Sequence, residues 1–66
     1  MTNLKRIRTA DGITQSKLSE LSGVSLRTLQ DYEQGRKSIN QAAAITVYRI
    51  AEALGVDVED LLELDK

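Results

Sequence analysis

The side chains with the clearest potential for specific chemistry lie between Gly23 and Gly35, in the stretch GVSLRTLQDYEQG. Arg27 can donate two hydrogen bonds to O6 and N7 of guanine, and Gln30 can pair with N6 and N7 of adenine. Each such bidentate contact is worth about 1–3 kcal/mol of discrimination between bases. Leu26 has no polar side-chain atom, but it can pack against a thymine methyl group. These residue types on one short segment favour contact with the edges of DNA bases.

The same side chains also have an ordinary surface interpretation. Arg27 could pair with Asp31, four residues later on the same helix. Gln30 could be solvated, and Leu26 could meet another protein or be inert, since single exposed leucines are common. Asp31 would tolerate nearby DNA only if it accepted from cytosine N4 or were neutralised by Arg27. If the segment is a protruding helix, the pattern favours base or phosphate contact for Arg27 and a DNA contact for Gln30, and it leaves the role of Leu26 open.

Positive charge is concentrated in the same part of the chain. Residues 1–49 hold eight Lys/Arg and four Asp/Glu, a net charge of +4, whereas residues 50–66 hold one Lys and six acids, a net charge of −5. The formal total of −1 hides this separation. One end of the molecule can therefore face a polyanion. Arg36 and Lys37 could form a solvated turn, but adjacent cations beside the base-contact candidates favour phosphate contact.

Catalytic and metal chemistry have little support in the composition. The 66 residues contain no histidine and no cysteine, so the usual imidazole base, a thiol nucleophile and a His/Cys zinc site are absent. The chain also lacks a glycine-rich phosphate loop. Glu59, Asp60 and Glu63 could chelate a divalent cation, but a solvated acidic face is favoured. We expect neither an enzyme nor a metal site.

The N-terminus, MTNLKRIRTA, interleaves charged and apolar residues and does not resemble a signal peptide. The longest apolar run is AAAI, far shorter than the roughly 20 residues that a membrane span needs. The absence of cysteine is compatible with a reducing compartment. We expect a soluble, cytoplasmic protein with no membrane partner.

Five segments must position these side chains, and their apolar residues recur at helical spacing. Each of the four glycines follows such a segment, as expected just past a helix end. The predicted helices span about 2–11, 14–21, 25–34, 41–54 and 58–64. The expected N-caps are Thr14, Ser25, Asn40 and Asp57, the last supported by Asp60. The residues expected to point inward are Leu4, Ile7, Leu18, Leu21, Leu29, Tyr32, Ala43, Val47, Ile50, Ala51, Leu54, Val58, Leu61 and Leu62. The pattern predicts an all-α fold with one aliphatic core, in a single domain over 1–66.

The second and third predicted helices are joined only by SGV. A tight connection containing glycine makes two short helices cross steeply, which is the geometry of a helix-turn-helix over about 14–34. Leu29 and Tyr32 would hold the second of these helices to the core. Its opposite face would protrude, and a helix about 10–12 Å wide fits the major groove of B-DNA.

At this point the sequence resembles a known family. The stretch TQSKLSELSGVSLRTLQDYEQG, followed by RKSI and ALGVDVEDLL, is similar to the DNA-binding domain of the phage lambda-type repressor and Cro family, over about residues 3–63. The resemblance implies a compact five-helix fold, operator binding usually as a dimer, and no cofactor.

The resemblance also implies roles for individual residues. Gln15, which opens the second helix, would bind a phosphate and buttress the recognition helix. Arg8 and Glu33 match positions that form a largely buried ion pair in some members, although they could also be unrelated surface charges. The base-facing positions would be Ser25, Leu26, Arg27, Gln30 and Asp31. The further backbone contacts would come from Gln34, Arg36, Lys37 and Ser38.

Two functions fit the sequence, and both can hold in one protein. The first is a sequence-specific regulator of double-stranded DNA, a repressor acting as a homodimer, with Val56, Val58 and Leu64 as candidate dimer residues. The second is a protein-interaction module on the same fold, such as an antitoxin that binds a partner protein. A core domain without activity of its own is a third interpretation.

Overall fold

The computed structural model describes residues 1–64 of the chain. Over that range the backbone forms five α-helices and one 3₁₀ turn, with no β-strand. The helices are α1 (Asn3–Ala10), α2 (Gln15–Ser22), α3 (Leu26–Glu33), α4 (Ala44–Leu54) and α5 (Val58–Leu61), and the 3₁₀ turn spans Ile39–Gln41. The predicted all-α, five-helix fold is confirmed. No helix in this range is long and apolar enough to cross a membrane.

The starts of α2 and α3 follow from their capping residues. The hydroxyl of Thr14 accepts a hydrogen bond from the Lys17 backbone N–H at 3.0 Å, and Ser25 accepts one from the Thr28 N–H at 3.2 Å. Each bond satisfies a donor that the first helical turn leaves without a partner. Both caps were expected from the sequence.

Glycine ends two of the helices in the predicted way. Gly23 follows α2 with φ of 74°, and Gly55 follows α4 with φ of 70°. This left-handed backbone region is strained for residues that carry a Cβ atom, so glycine fixes where each helix stops.

The core is aliphatic, as expected, and every helix contributes to it. Its buried residues are Leu4, Leu18, Val24, Leu29, Tyr32, Ile39, Val47, Ile50, Ala51, Leu54 and Leu61. Helix α2 packs against both α3 and α4, and α1 packs against α3 and α5. The pair formed by α2 and α3 is therefore packed against α4 through α2 and against α1 through α3.

The prediction that Asn40 caps a helix beginning at 41 is wrong. Asn40 lies in the 3₁₀ turn, and α4 begins after Ala43, whose side chain is exposed rather than inward. The Asn40 amide instead exchanges two hydrogen bonds with the backbone of Glu63, at 2.7 and 2.8 Å. Asn40 therefore ties the end of the chain described here to the turn before α4.

Leu21 was also expected to point inward, and it is exposed. Ser22 lies four residues after the buried Leu18 and takes the next inward position on α2, where it is buried. Residues i and i+4 stack on one face of a helix, so burial of Ser22 turns Leu21 towards the outside.

Helix α5 ends at Leu61, earlier than the predicted end at 64.

Candidate nucleic-acid interface

The turn between α2 and α3 is fixed by two serines. The Ser19 hydroxyl donates to the Val24 carbonyl at 2.6 Å, and the Val24 N–H donates to the Ser22 hydroxyl at 3.1 Å. Val24 is buried in the core, as are Leu29 and Tyr32 of α3. These contacts hold α3 by one face and leave its first turn outside the core.

The first turn of α3 is accessible. Leu26 is 37% exposed, and the Arg27 side chain is 79% exposed. Gln30, one turn further on, is partly exposed, and Ser25 is exposed with its hydroxyl bonded to Thr28. Arg27 is largely uncovered by the rest of the described chain, and Leu26 keeps part of its surface accessible. A polar partner outside the chain can therefore reach them.

Asp31 occupies a different environment from the one expected. The sequence placed it on the free face of α3, yet its side chain is only 7% exposed. Its Oδ1 atom lies 2.9 Å from Arg36 Nε and 3.4 Å from Arg27 Nε, and its Oδ2 atom lies 3.7 Å from Lys37 Nζ. We name Arg27, Asp31, Arg36 and Lys37 the outer cluster.

The backbone draws the same residues together. The N–H groups of Arg36 and Lys37 both donate to the Asp31 carbonyl oxygen, at 2.9 and 3.2 Å. These bonds fold the chain back as it leaves α3, so the two cations stand beside the helix. The outer cluster holds three cations and one carboxylate, and its net charge is +2.

The Asp31 carboxylate is ionised at neutral pH. A hydrogen bond from Arg36 lowers the pKa of Asp31, burial opposes this shift, and the charges of Arg27 and Arg36 lower the pKa further. The pKa of Asp31 therefore lies below its ordinary value. The Asp31 carboxylate therefore pairs with the three basic side chains of the outer cluster at neutral pH. Little of its surface is free to contact a DNA base.

A second ionic cluster connects α3 to α1 and α2. The Glu33 carboxylate receives hydrogen bonds from Arg8 Nε at 2.6 Å, Arg8 Nη2 at 2.9 Å and Gln15 Nε2 at 3.0 Å. The side chain of Glu33 is 1% exposed and that of Arg8 is 13% exposed. Arg8 also donates to the Ile13 carbonyl at 2.7 Å. We name Arg8, Gln15 and Glu33 the inner cluster; it joins α1, α2 and α3.

The titration of the inner cluster follows from these contacts. Burial raises the pKa of Glu33, but hydrogen bonds from Arg8 and Gln15, together with nearby positive charge, outweigh burial and lower that pKa overall. The hydrogen bond to Glu33 raises the pKa of Arg8. Both partners are therefore charged at neutral pH, and Gln15 turns its amide towards α3.

The cationic surface continues past α3. Gln34, Arg36, Lys37 and Ser38 are all exposed. A groove runs beside them, and its lining residues are Tyr32, Arg36, Lys37, Ser38, Gln41 and Ala42. Sequence reasoning did not single out Gln41, because the 3₁₀ turn that carries it has no apolar periodicity.

Two of the acidic candidates for metal chelation, Asp60 and Glu63, accept hydrogen bonds from backbone groups. Asp60 accepts from the Asp57 N–H at 3.1 Å, and Glu63 accepts from the Asn3 N–H at 2.6 Å. Across residues 1–64, no group of three or more Asp and Glu side chains is arranged to hold a metal ion.

A separate apolar surface lies on α2 and α4. Leu21, Ile45 and Tyr48 are exposed, and Leu21 and Tyr48 line one shallow groove together with Ser22, Arg49, Glu52 and Ala53. The expected dimer residues Val56 and Val58 are instead partly buried against the core, whereas Leu64 is exposed. The sequence did not indicate the α2–α4 surface, because Leu21 had been placed inside.

The sequence is similar to known helix-turn-helix proteins. A family model described as helix-turn-helix matches residues 4–61. The chain is 36% identical over 61 residues to an uncharacterized HTH-type transcriptional regulator from Sinorhizobium fredii, covering 92% of this chain and 75% of that protein. It is 38% identical over 66 residues to one from Methanothermobacter thermautotrophicus, covering 98% and 91%. No solved structure matches the chain significantly.

Proposed function

The chain belongs to the helix-turn-helix family of DNA-binding transcriptional regulators, and from this premise we propose that it is a sequence-specific repressor that reads duplex DNA with α3. The observation that carries the proposal is the accessible first turn of α3 beside exposed cations. An exposed arginine on a protruding helix suits the major groove, and the cations beside it suit the phosphates that flank the groove.

The proposed base contacts come from the first half of α3. Arg27 would donate to guanine, Gln30 would pair with adenine, and Leu26 would pack on a thymine methyl group. Ser25 stands at the start of the same turn, where its hydroxyl is already used in capping. Asp31, the remaining base-facing candidate, would contribute mainly through the cations that it binds.

Phosphate contacts would flank these base contacts. Gln15 opens α2, and its amide group already bonds Glu33, so a phosphate there would be linked to α3 through the inner cluster. On the other side, Gln34, Arg36, Lys37 and Ser38 border the exit from α3. Contacts of this kind fix orientation on the duplex without reading sequence.

A domain of this size covers one half-site, and we propose that two copies bind DNA together in the cytoplasm. Their recognition helices would then lie about 34 Å apart, one helical turn of DNA. Of the three candidate dimer residues, Leu64 is exposed, whereas Val56 and Val58 are partly buried.

The alternative function is binding of a protein partner, as an antitoxin does. The exposed apolar side chains of Leu21, Ile45 and Tyr48 favour this alternative, since they lie on α2 and α4 rather than on the first turn of α3. Both functions could coexist, because the two surfaces differ.

A salt titration tests the DNA-binding proposal. Sites are first selected from a random duplex pool, and the affinity of the best duplex is then measured at several salt concentrations beside a single strand of the same sequence. We expect log K to fall linearly with log salt, with a slope of about −0.9 for each phosphate contacted. Salt-independent binding, or equal affinity for single strand and duplex at low salt, contradicts the proposal.

A further inference from the structure

We propose that Asp31 is a positioning residue, which holds Arg27 and Arg36 in place so that Arg27 can discriminate between bases. This inference rests on the proposed function, since it concerns the same DNA-reading surface. In this role an acid on the recognition helix contributes to sequence specificity without contacting a DNA base.

The geometry of the outer cluster supports this role. The acid lies inside and the cations lie outside: the Asp31 side chain is 7% exposed, whereas the side chains of all three cations are exposed by more than half. Both arginines approach the same oxygen, Oδ1. A carboxylate covered in this way is badly placed to accept a hydrogen bond from cytosine.

The atoms that make these contacts leave the arginines able to bind DNA. Arg27 and Arg36 each use Nε to donate to Asp31. A guanidinium carries five N–H donors in a fixed plane, so four of them remain on the two terminal nitrogens of each side chain. Two parallel donors are what guanine O6 and N7 require. Anchoring through Nε therefore orients the guanidinium plane without consuming the donors that read a base.

Such anchoring affects specific binding more than general attraction to DNA. A free arginine loses side-chain entropy when it is fixed at a base, and a side chain that is already held loses less. The carboxylate also lowers the positive charge of the surface, which weakens attraction to phosphates of any sequence. Asp31 should therefore reduce non-specific affinity and increase discrimination at the base pair that Arg27 contacts.

The test compares the wild type with Asp31→Ala, Arg27→Ala and the double variant. Affinities are measured for the best selected duplex, for duplexes changed at one base pair, and for a non-specific duplex. We expect Asp31→Ala to raise non-specific affinity and to reduce discrimination at the base pair read by Arg27 by about five-fold or more. The double variant should discriminate no less than Arg27→Ala alone. Glu20→Ala is the matched control, because it removes an exposed acid, paired with Lys17, from α2.

Two results would overturn the inference. If Asp31→Ala removes discrimination at a different base pair and leaves that of Arg27 intact, Asp31 itself reads a base. If Asp31→Ala behaves like the Glu20→Ala control, the carboxylate contributes only charge.

The proposed function can fail separately from this inference. Exchange of the Arg27 and Arg36 Nε–H protons, measured by NMR without DNA, reports the anchoring alone. We expect faster exchange in Asp31→Ala than in the wild type, and unchanged exchange contradicts the anchoring. A wild-type protein that binds no duplex refutes DNA reading, while the exchange experiment still decides whether Asp31 holds the arginines.

Discussion

Asp31 and Glu33 lie two positions apart on α3, and both bind arginine, but their partners come from different parts of the molecule. Glu33 receives hydrogen bonds from Arg8 of α1 and Gln15 of α2; its own side chain is almost wholly removed from water, and that of Arg8 is largely covered. Asp31 receives Arg27 from its own helix and Arg36 and Lys37 from the segment just after it. Residues two apart on a helix do not face each other, so each acid serves a different side of α3.

The contrast shows that burial of the acid does not by itself reveal its role. Both carboxylates are buried, but the Arg8 side chain is largely covered together with its partner, whereas most of the Arg27 side chain is in solvent. A buried pair loses solvation on both sides and becomes costly to break. A buried acid with exposed cations costs less to disrupt and leaves the cations available to another molecule. The inner cluster should therefore govern stability and the outer cluster binding.

Glu33→Gln should have the largest effect, because it leaves the largely covered Arg8 charge without an anionic partner. Removal of one member of a buried pair costs about 3–5 kcal/mol, and we expect a loss of about 3 kcal/mol in the free energy of unfolding measured with urea. The control is Glu20→Gln, since the Glu20 side chain is 72% exposed and pairs with Lys17. It should change stability by less than about 1 kcal/mol. Equal losses in the two variants would remove the distinction between buried and exposed pairs.

Acid should weaken the inner cluster in the same direction. The pKa of Glu33 is lower in the folded chain than its ordinary value, so the unfolded chain takes up the proton first as pH falls. The stabilisation of the fold by charged Glu33 is complete above about pH 5. It begins to fall near the ordinary carboxyl pKa of about 4 and is lost as pH drops through the lower pKa of the folded chain. Asp31 shifts in the same direction.

Urea unfolding of wild type and Glu33→Gln between pH 7 and pH 2.5 measures this loss. The difference in unfolding free energy between the two proteins should shrink as pH falls, because protonation removes the charge that the variant already lacks. A constant difference across the range would show that the charge of Glu33 does not stabilise the fold.

Arg27→Ala should affect recognition rather than folding. The Arg27 side chain is largely exposed, so we expect the unfolding free energy to change by no more than about 0.5 kcal/mol. Discrimination at one base pair should fall by about 1–3 kcal/mol. Competition binding with duplexes that differ at single positions measures it. An equal loss of affinity for every sequence would make Arg27 a phosphate contact instead.

Lys37→Ala should have the smallest effect. The Lys37 amino group lies 3.7 Å from Asp31, so little is lost within the protein. In the proposed function this amino group contacts a phosphate and reads no base. We expect a modest loss of affinity for all duplexes and a decrease of about 0.9 in the magnitude of the salt slope. Arg49→Ala, which removes an exposed cation beside the α2–α4 groove, is the matched control and should leave the slope unchanged.

Much of the fold could be predicted from the sequence because local signals agree with tertiary packing. Thr14 and Ser25 mark helix starts, glycine marks helix ends, and Leu18 and Leu29 fall on apolar stripes that the core uses. The start of α4 was missed because Asn40, a good capping residue, is used in a long-range contact with Glu63. Local propensity contains no information about that contact.

The outer cluster was only half visible in the sequence. The spacing of Arg27 and Asp31 predicts a pair one helical turn apart, and the structure contains it. The approach of Arg36 and Lys37 depends on how the chain turns after Gly35, where two backbone N–H groups donate to the Asp31 carbonyl. The burial of Asp31 follows from that turn, so helical periodicity alone could not show it.

A chemical-shift footprint of the wild-type protein with its selected duplex tests most directly whether the first turn of α3 and the outer cluster bind DNA. The largest amide shifts should fall on residues 26–30 and 36–37, with little change at Leu21, Ile45 and Tyr48. A footprint confined to α4 and α5, with 26–30 unmoved at saturating duplex, would contradict DNA reading by α3.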